Sequence, residues 1–205
     1  MSVGGGRRLD FMPVDDNAHL RETLVSTELV LDGFFLKVSR DQVRLPDGAI
    51  TTREFIRHPG AVMIIPLLDD GSLLMERQYR YPMAQVMLEF PAGKIDAGEL
   101  PLLCAMRELR EETGYSAAEW AHAGVLNNAI AYSDEGIEIF FARGLSAGAS
   151  QLDAGEFLDL VVHTPAELDA MAANGTVTDA KTLIGLLWLS RWQRGEWPLQ
   201  WQSAV

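Results

Sequence analysis

The apolar pattern is strand-like from Thr27 to Arg80. "TELVLDGFFLKVSRDQVRL" is rich in β-branched and aromatic residues, and Leu45-Pro46-Asp47-Gly48 closes it with a turn. "AITTREFIRHP" continues in the same style. "AVMIIPLLDDGSLLMERQYR" sets two apolar runs about Asp69-Asp70-Gly71, which predicts a hairpin. "VMLEFPAG" predicts one short strand, stopped by Pro91 and Gly93. Pro101 then suits the first turn of a helix and Gly114 a left-handed stop, so a helix is expected between them. "AGVLNNA", "IEIFFARGL" and "EFLDLVVH" read as three more strands. Thr164-Pro165-Ala166-Glu167 spells a capping box, opening a helix to about Asn174-Gly175. Asp179 caps a last helix, "AKTLIGLLWLSRWQR". Hairpins mixed with a few helices predict an α+β fold rather than an alternating parallel sheet.

A chain of 205 residues suits one large domain, or one domain plus an arm. The pattern divides it into a flexible lead-in (1–26), a β arm (27–58), a main domain (59–195) and a C-terminal tail (196–205). The start, "MSVGGGRRLDFMPVDDNAHL", has two arginines but no apolar stretch behind them, so no signal peptide is read there. No apolar run is long enough to span a membrane. The 48% apolar content supplies a real core. A net charge of −12 disfavours nucleic acid and anionic membranes, because the field of the whole protein repels phosphate. A phosphorylated substrate would therefore need cations or local arginines. The single cysteine, Cys104, excludes an intramolecular disulfide and fits a reducing cytosol.

Chemistry concentrates in "AGKIDAGELPLLCAMRELREETGY", Ala92 to Tyr115. On a wheel of about 100° per residue, Glu108, Glu111 and Glu112 share one arc, and Leu102, Met106 and Leu109 another that would face a sheet. Arg107 flanks the acids and can orient one by a paired contact. Glu99 lies near the helix N-terminus, where the macrodipole favours negative charge. Clustered carboxylates are the hard oxygen ligands that Mg²⁺ prefers, and Mg²⁺ readily takes phosphate oxygens as well. An exposed acidic helix face would have the same composition. The spacing separates the two readings. Gly93, five residues, Glu99, seven residues, then Arg107-Glu108-Leu109-Arg110-Glu111-Glu112-Thr113-Gly114-Tyr115 matches at random on the order of 10⁻⁹ per window, given average residue usage.

This stretch resembles the Nudix box, the signature of hydrolases that cut diphosphates linked to another moiety. The resemblance implies an α/β/α sandwich built on a mixed sheet. It also implies that Glu108 and Glu112 ligate Mg²⁺ (with Mn²⁺ as a substitute), that Glu111 ligates or assists catalysis, and that the Ala92 carbonyl is a further ligand. Arg107 and Glu99 would support them. The likeness extends over roughly Leu29 to Trp192. "TTREFIRHPGAVMIIPL", "RQYRYPMAQVMLEFPAGKIDAGE" and "EFLDLVVHTPAELDAMAANGTVTDAKTLIGLLWL" are similar to the ADP-ribose pyrophosphatase and nucleotide-sugar branch.

In that branch the N-terminal strands exchange with a partner, which implies a homodimer whose site draws on both subunits. Arg53 and Glu54 would contact the nucleoside or ribose, Arg80 the diphosphate or terminal ribose, and Glu89 would sit beside the cleft. A guanidinium suits phosphate because its donors come in pairs. Members that cut ADP-ribose often carry a proline in the loop after the box. "VLNNAIAYSDE" has Asn127-Asn128 there, which leaves GDP-mannose and other nucleoside diphosphate sugars open. Glu156, ahead of a strand, resembles the loop glutamate that some members use as catalytic base; Asp153 and Glu135 compete for the role. Cys104 reads as a small packing residue, since a thiolate is a poor Mg²⁺ ligand. Trp188, Trp192, Trp197 and Trp201 are expected to pack the last helix. The reading is a cytoplasmic, Mg²⁺-dependent nucleotide-sugar pyrophosphatase. A non-catalytic nucleotide-sugar sensor is the alternative, and the intact box argues against it.

Overall fold

The computed structural model describes residues 17–152 and 155–204. Most of the expected lead-in, and Asp153, lie outside the described residues. The chain divides into two compact units between Ile56 and Arg57.

The first unit is a three-stranded sheet of β1 (Thr23–Asp32), β2 (Lys37–Arg44) and β3 (Ile50–Arg57), in that order. β1 and β2 are antiparallel, from Thr23 opposite Arg44 to Asp32 opposite Lys37. β1 starts inside the segment expected to be irregular. The turn before β3 forms at Leu45-Pro46-Asp47-Gly48, where Gly48 N–H donates to the Leu45 carbonyl at 2.9 Å.

Among the described residues, the second unit holds two sheets and three α-helices. The strands β4 (Ala61–Pro66), β7 (Ala92–Lys94), β8 (Tyr115–Leu126), β9 (Ile137–Ala147) and β11 (Gln202–Ser203) form a mixed sheet in the order β11-β8-β9-β4-β7. Only β4 and β9 run parallel in it; the other pairs are antiparallel. A smaller antiparallel sheet has the order β10-β5-β6, with β5 (Leu73–Arg80), β6 (Gln85–Glu89) and β10 (Leu158–His163). The helices are α1 (Pro101–Thr113), α2 (Pro165–Ala173) and α3 (Ala180–Gln193).

Strand β4 explains the layering. Its side chains are apolar on both faces, and Val62, Met63, Ile64 and Ile65 are all buried. Val62 and Ile64 pack with Cys104, Ala105 and Leu109 of α1. Met63 and Ile65 pack with Leu168 of α2 and with Leu186 and Leu189 of α3. Helices therefore cover both faces of the mixed sheet, as a strand of continuous apolar residues requires. Each fully buried large side chain contributes roughly 1.5–3 kcal/mol. The fold is the α+β sandwich with a mixed sheet that the sequence predicts.

Three local expectations need correction. The Asp69-Asp70-Gly71 turn is present, with Asp70 accepting from the Ser72 N–H at 2.9 Å. Yet its flanking strands share only the bridge Leu67 to Leu73 and then enter different sheets. Both edges of β4 are already taken, by β9 and β7. "VMLEFPAG" likewise splits into β6 and β7, because Pro91 lacks the N–H to continue a ladder. "AGVLNNA" is the end of a longer strand that begins at Tyr115. Its alanines have weak strand preference, and pairing with β9 overrides that.

The capping box forms as read: Thr164 Oγ1 accepts from Glu167 N–H at 3.3 Å, and Glu167 Oε2 accepts from Thr164 N–H at 2.8 Å. Asp179 caps α3 through the Thr182 N–H at 2.9 Å. Gly114 ends α1 with φ of +75°, and a Cβ there would lie 2.8 Å from the Gly148 carbonyl oxygen. Past residue 195, β11 pairs with β8 at Trp120 and Glu119. Trp188 meets Trp197 and Trp192 meets Trp201 edge-on, at 5.8 and 5.9 Å between ring centres, so these rings pack α3 as expected.

Candidate active site

The site grows from the bend between β6 and α1. Leu109, on the inner arc of α1, is fully buried, which fixes the rotation of the helix. The neighbouring arc then carries the acids. Arg107 is their hub. Its Nε and Nη2 each donate to the Glu99 carboxylate at 2.9 Å, and its Nη1 reaches Glu108 at 2.8 Å and Glu111 at 3.1 Å. The paired contact to Arg107 holds the Glu99 carboxyl well down, to about 2. One guanidinium therefore orients three carboxylates.

Glu112 points the other way, into the protein, and is only 6% exposed. Its Oε2 accepts from the Ala92 N–H at 3.1 Å. Glu108 lies against Gly93. A Cβ on that glycine would come within 1.9–2.3 Å of the Glu108 carboxylate, so only a residue without one leaves the space. Burial raises the pKa of Glu108. It raises that of Glu112 too, reinforced by the nearby charges of Glu76 and Glu108.

Glu76 is the residue that sequence reading missed. It lies on β5, 3% exposed, and burial raises its pKa against a hydrogen bond with Glu112. Among the described residues, its Oε1 is buried with no hydrogen-bond partner. The signal was present: Leu74, Glu76, Gln78 and Arg80 share one face of the strand, so an acid stands where alternation puts the interior.

Opposite Glu76 across the ladder stands Glu89. Arg80 grips it with two donors, Nε at 2.7 Å and Nη2 at 2.8 Å. Lys181 Nζ binds its other side, and also Asp179 at 3.0 Å. Burial works to raise the Glu89 pKa, but Arg80 and Lys181 together hold it below the usual range. Lys181 was not singled out from sequence either. A lysine in the first turn of a helix opposes the macrodipole, which was the available clue.

Glu156 precedes β10, and its charge acts on Glu76, Glu108 and Glu112. Gln78 reaches it at 3.4 Å. Glu135 instead faces His58 at 3.6 Å. Cys104 is fully buried, its thiol pushed up to about 12 by burial, which suits packing. Arg53 and Glu54 belong to β3 in the first unit, where Arg53 binds Glu22 and Glu54 accepts from Arg40 at 2.8 Å.

The chemistry of this donor set fits a divalent cation. It offers hard carboxylate oxygens, an unpartnered buried acceptor on Glu76, and a glycine that brings backbone close to Glu108. Among the described residues, no three acidic, histidine or cysteine side chains close around one point by themselves. Like charges at this spacing repel until a cation joins them.

The NUDIX domain profile matches residues 57–184, which spans the whole of this site. The chain belongs to the Nudix family. The profile of the nucleoside diphosphate sugar hydrolase N-terminal domain matches residues 22–56. Among curated relatives of this Nudix chain, a methanol dehydrogenase activator of Bacillus methanolicus is 36% identical over 82% of this chain and 92% of its own length. An ADP-ribose pyrophosphatase of Bacillus subtilis is 33% identical over 83% of this chain and 93% of its own length. The crystal structure of an ADP compounds hydrolase superposes with a TM-score of 0.78 at 27% identity, covering 86% of this chain and 97% of that one.

Proposed function

We propose that this Nudix enzyme cuts the diphosphate bridge of ADP-ribose or a similar nucleoside diphosphate sugar, releasing a nucleoside monophosphate and a sugar phosphate. The observation that carries this reading is the grouping of Glu108 and Glu112 at the Ala92–Gly93 bend, with the buried Glu76 bonded to Glu112 and the Arg80 guanidinium within the electrostatic field of Glu112. The relatives named for ADP-ribose and ADP compounds support the same substrate class.

Mg²⁺, or Mn²⁺ in its place, is the proposed cofactor, held by Glu108, Glu111, Glu112 and the Ala92 carbonyl. When bound, it supplies Lewis-acid charge beside the phosphate oxygens. Arg107 keeps Glu108 and Glu111 turned toward the ion. Arg80 presents its remaining donors to the diphosphate, while Glu89 and Lys181 fix the direction of its guanidinium. Glu156 accepts a proton from the water that attacks phosphorus in line, and the P–O bond to the leaving phosphate breaks. Arg53 and Glu54 are the proposed nucleoside contacts, supplied to the site by the exchanged arm of the partner in the homodimer. The proposed compartment is the cytoplasm, consistent with a lone free thiol. Among the described residues no helix is long and apolar enough to cross a membrane.

The purified protein should turn over at least one member of a nucleotide-sugar panel with Mg²⁺, lose that activity in excess EDTA, and regain it when Mg²⁺ is restored. Full turnover in EDTA would overturn the metal reading. Silence toward the whole panel would overturn the substrate class.

A homodimer is the proposed assembly, joined through the β arm. All ten residues of β1 are exposed, and Leu24, Val25, Leu29 and Leu31 are among them, with Phe34 and Phe35 following. An edge strand with such side chains seeks a partner. Sedimentation at micromolar concentration should give twice the chain mass of 22.6 kDa. A fully active monomer would remove the shared site.

A further inference from the structure

The first turn of α3 touches the back of the site rather than its open face. Thr182 is fully buried. Its Oγ1 accepts from the Phe90 N–H at 3.2 Å and donates to Asp179 Oδ2 at 2.6 Å. Pro91 follows, its carbonyl accepting from the Ile64 N–H at 2.9 Å. Next comes Ala92, its N–H held by Glu112. The bend that carries Ala92 is thus pinned at three consecutive residues, from α3, β4 and α1 in turn. Gly185, one turn further along α3, shows how close the helix lies: a Cβ there would meet the Phe90 ring and the Met63 methyl at 2.9 Å. Lys181, beside Thr182, binds Glu89 on the other side of Phe90.

We infer that Thr182 is a positioning residue of the metal site, with its hydroxyl setting the place of the Ala92 carbonyl through the Phe90 backbone. The inference rests on the reading of Ala92 as a metal ligand. A buried N–H that loses its acceptor moves to find another. Thr182 is held by the capping Asp179, so a Phe90 N–H that loses its acceptor displaces the bend that follows it rather than the helix. Groups that orient a ligand from behind typically change metal affinity by about 10–100-fold when removed.

The test is Thr182→Val, which keeps the volume and branching but removes the acceptor, beside Thr182→Ser, which keeps the hydroxyl. Mn²⁺ binding to the protein without substrate is measured by titration calorimetry, next to thermal melting in EDTA. Thr182→Val should bind Mn²⁺ about tenfold or more weakly, with Thr182→Ser near wild type. A packing role alone would give the reverse ranking, because serine lacks the buried methyl. Equal Mn²⁺ affinity in Thr182→Val and wild type overturns the inference. If Thr182→Val does not melt cooperatively, Thr182→Ala takes its place beside Thr182→Ser: it also removes the acceptor of the Phe90 N–H, and wild-type Mn²⁺ affinity there overturns the inference as well. Because the readout is ion binding, failure of the nucleotide-sugar panel leaves this test standing.

Discussion

Glu156→Gln should lower kcat by about 10²–10⁴ with little change in substrate binding, because proton abstraction is felt mainly in the transition state. Glu156 lies ahead of β10, and its charge reaches Glu76, Glu108 and Glu112. Glu135 is the control. It pairs toward His58, so Glu135→Gln should remain near the wild-type rate. The measurement is kcat and KM for both variants under saturating Mg²⁺. A wild-type rate for Glu156→Gln, with collapse in Glu135→Gln, would reassign the base.

Glu112→Gln should cost at least about a hundredfold in kcat, on the scale of lost transition-state electrostatics. The fold should survive. The amide keeps an oxygen that can accept from the Ala92 N–H, and it removes one of several buried carboxylates that repel each other. In EDTA the variant should therefore melt at or above the wild-type temperature. Activity falling while stability holds or rises is the signature of a charge kept for function. Near-normal kcat, with an unchanged melting curve, would count against Glu112 as a ligand.

The sequence alone determined whatever depends on neighbours along the chain. Helix geometry places Glu108, Glu111 and Glu112 on one arc with Arg107 beside them, and Pro101 and Gly114 bound that helix. The capping box at Thr164 and the cap at Asp179 form as read, because each needs only residues within one turn. The α+β class followed from the same local periods, and the Nudix spacing named the family. Tertiary structure decided the rest. It sent β4 and β5 into different sheets because the edges of β4 were already filled. It broke "VMLEFPAG" at Pro91, which turned one strand into the bend that holds Ala92. It set Glu76 against Glu112, and it carried Lys181 to Glu89 across 92 residues of sequence. No local pattern fixes such meetings. They form because strands and helices must bury their apolar faces together, and the few polar groups sealed in by that packing can find partners only among one another.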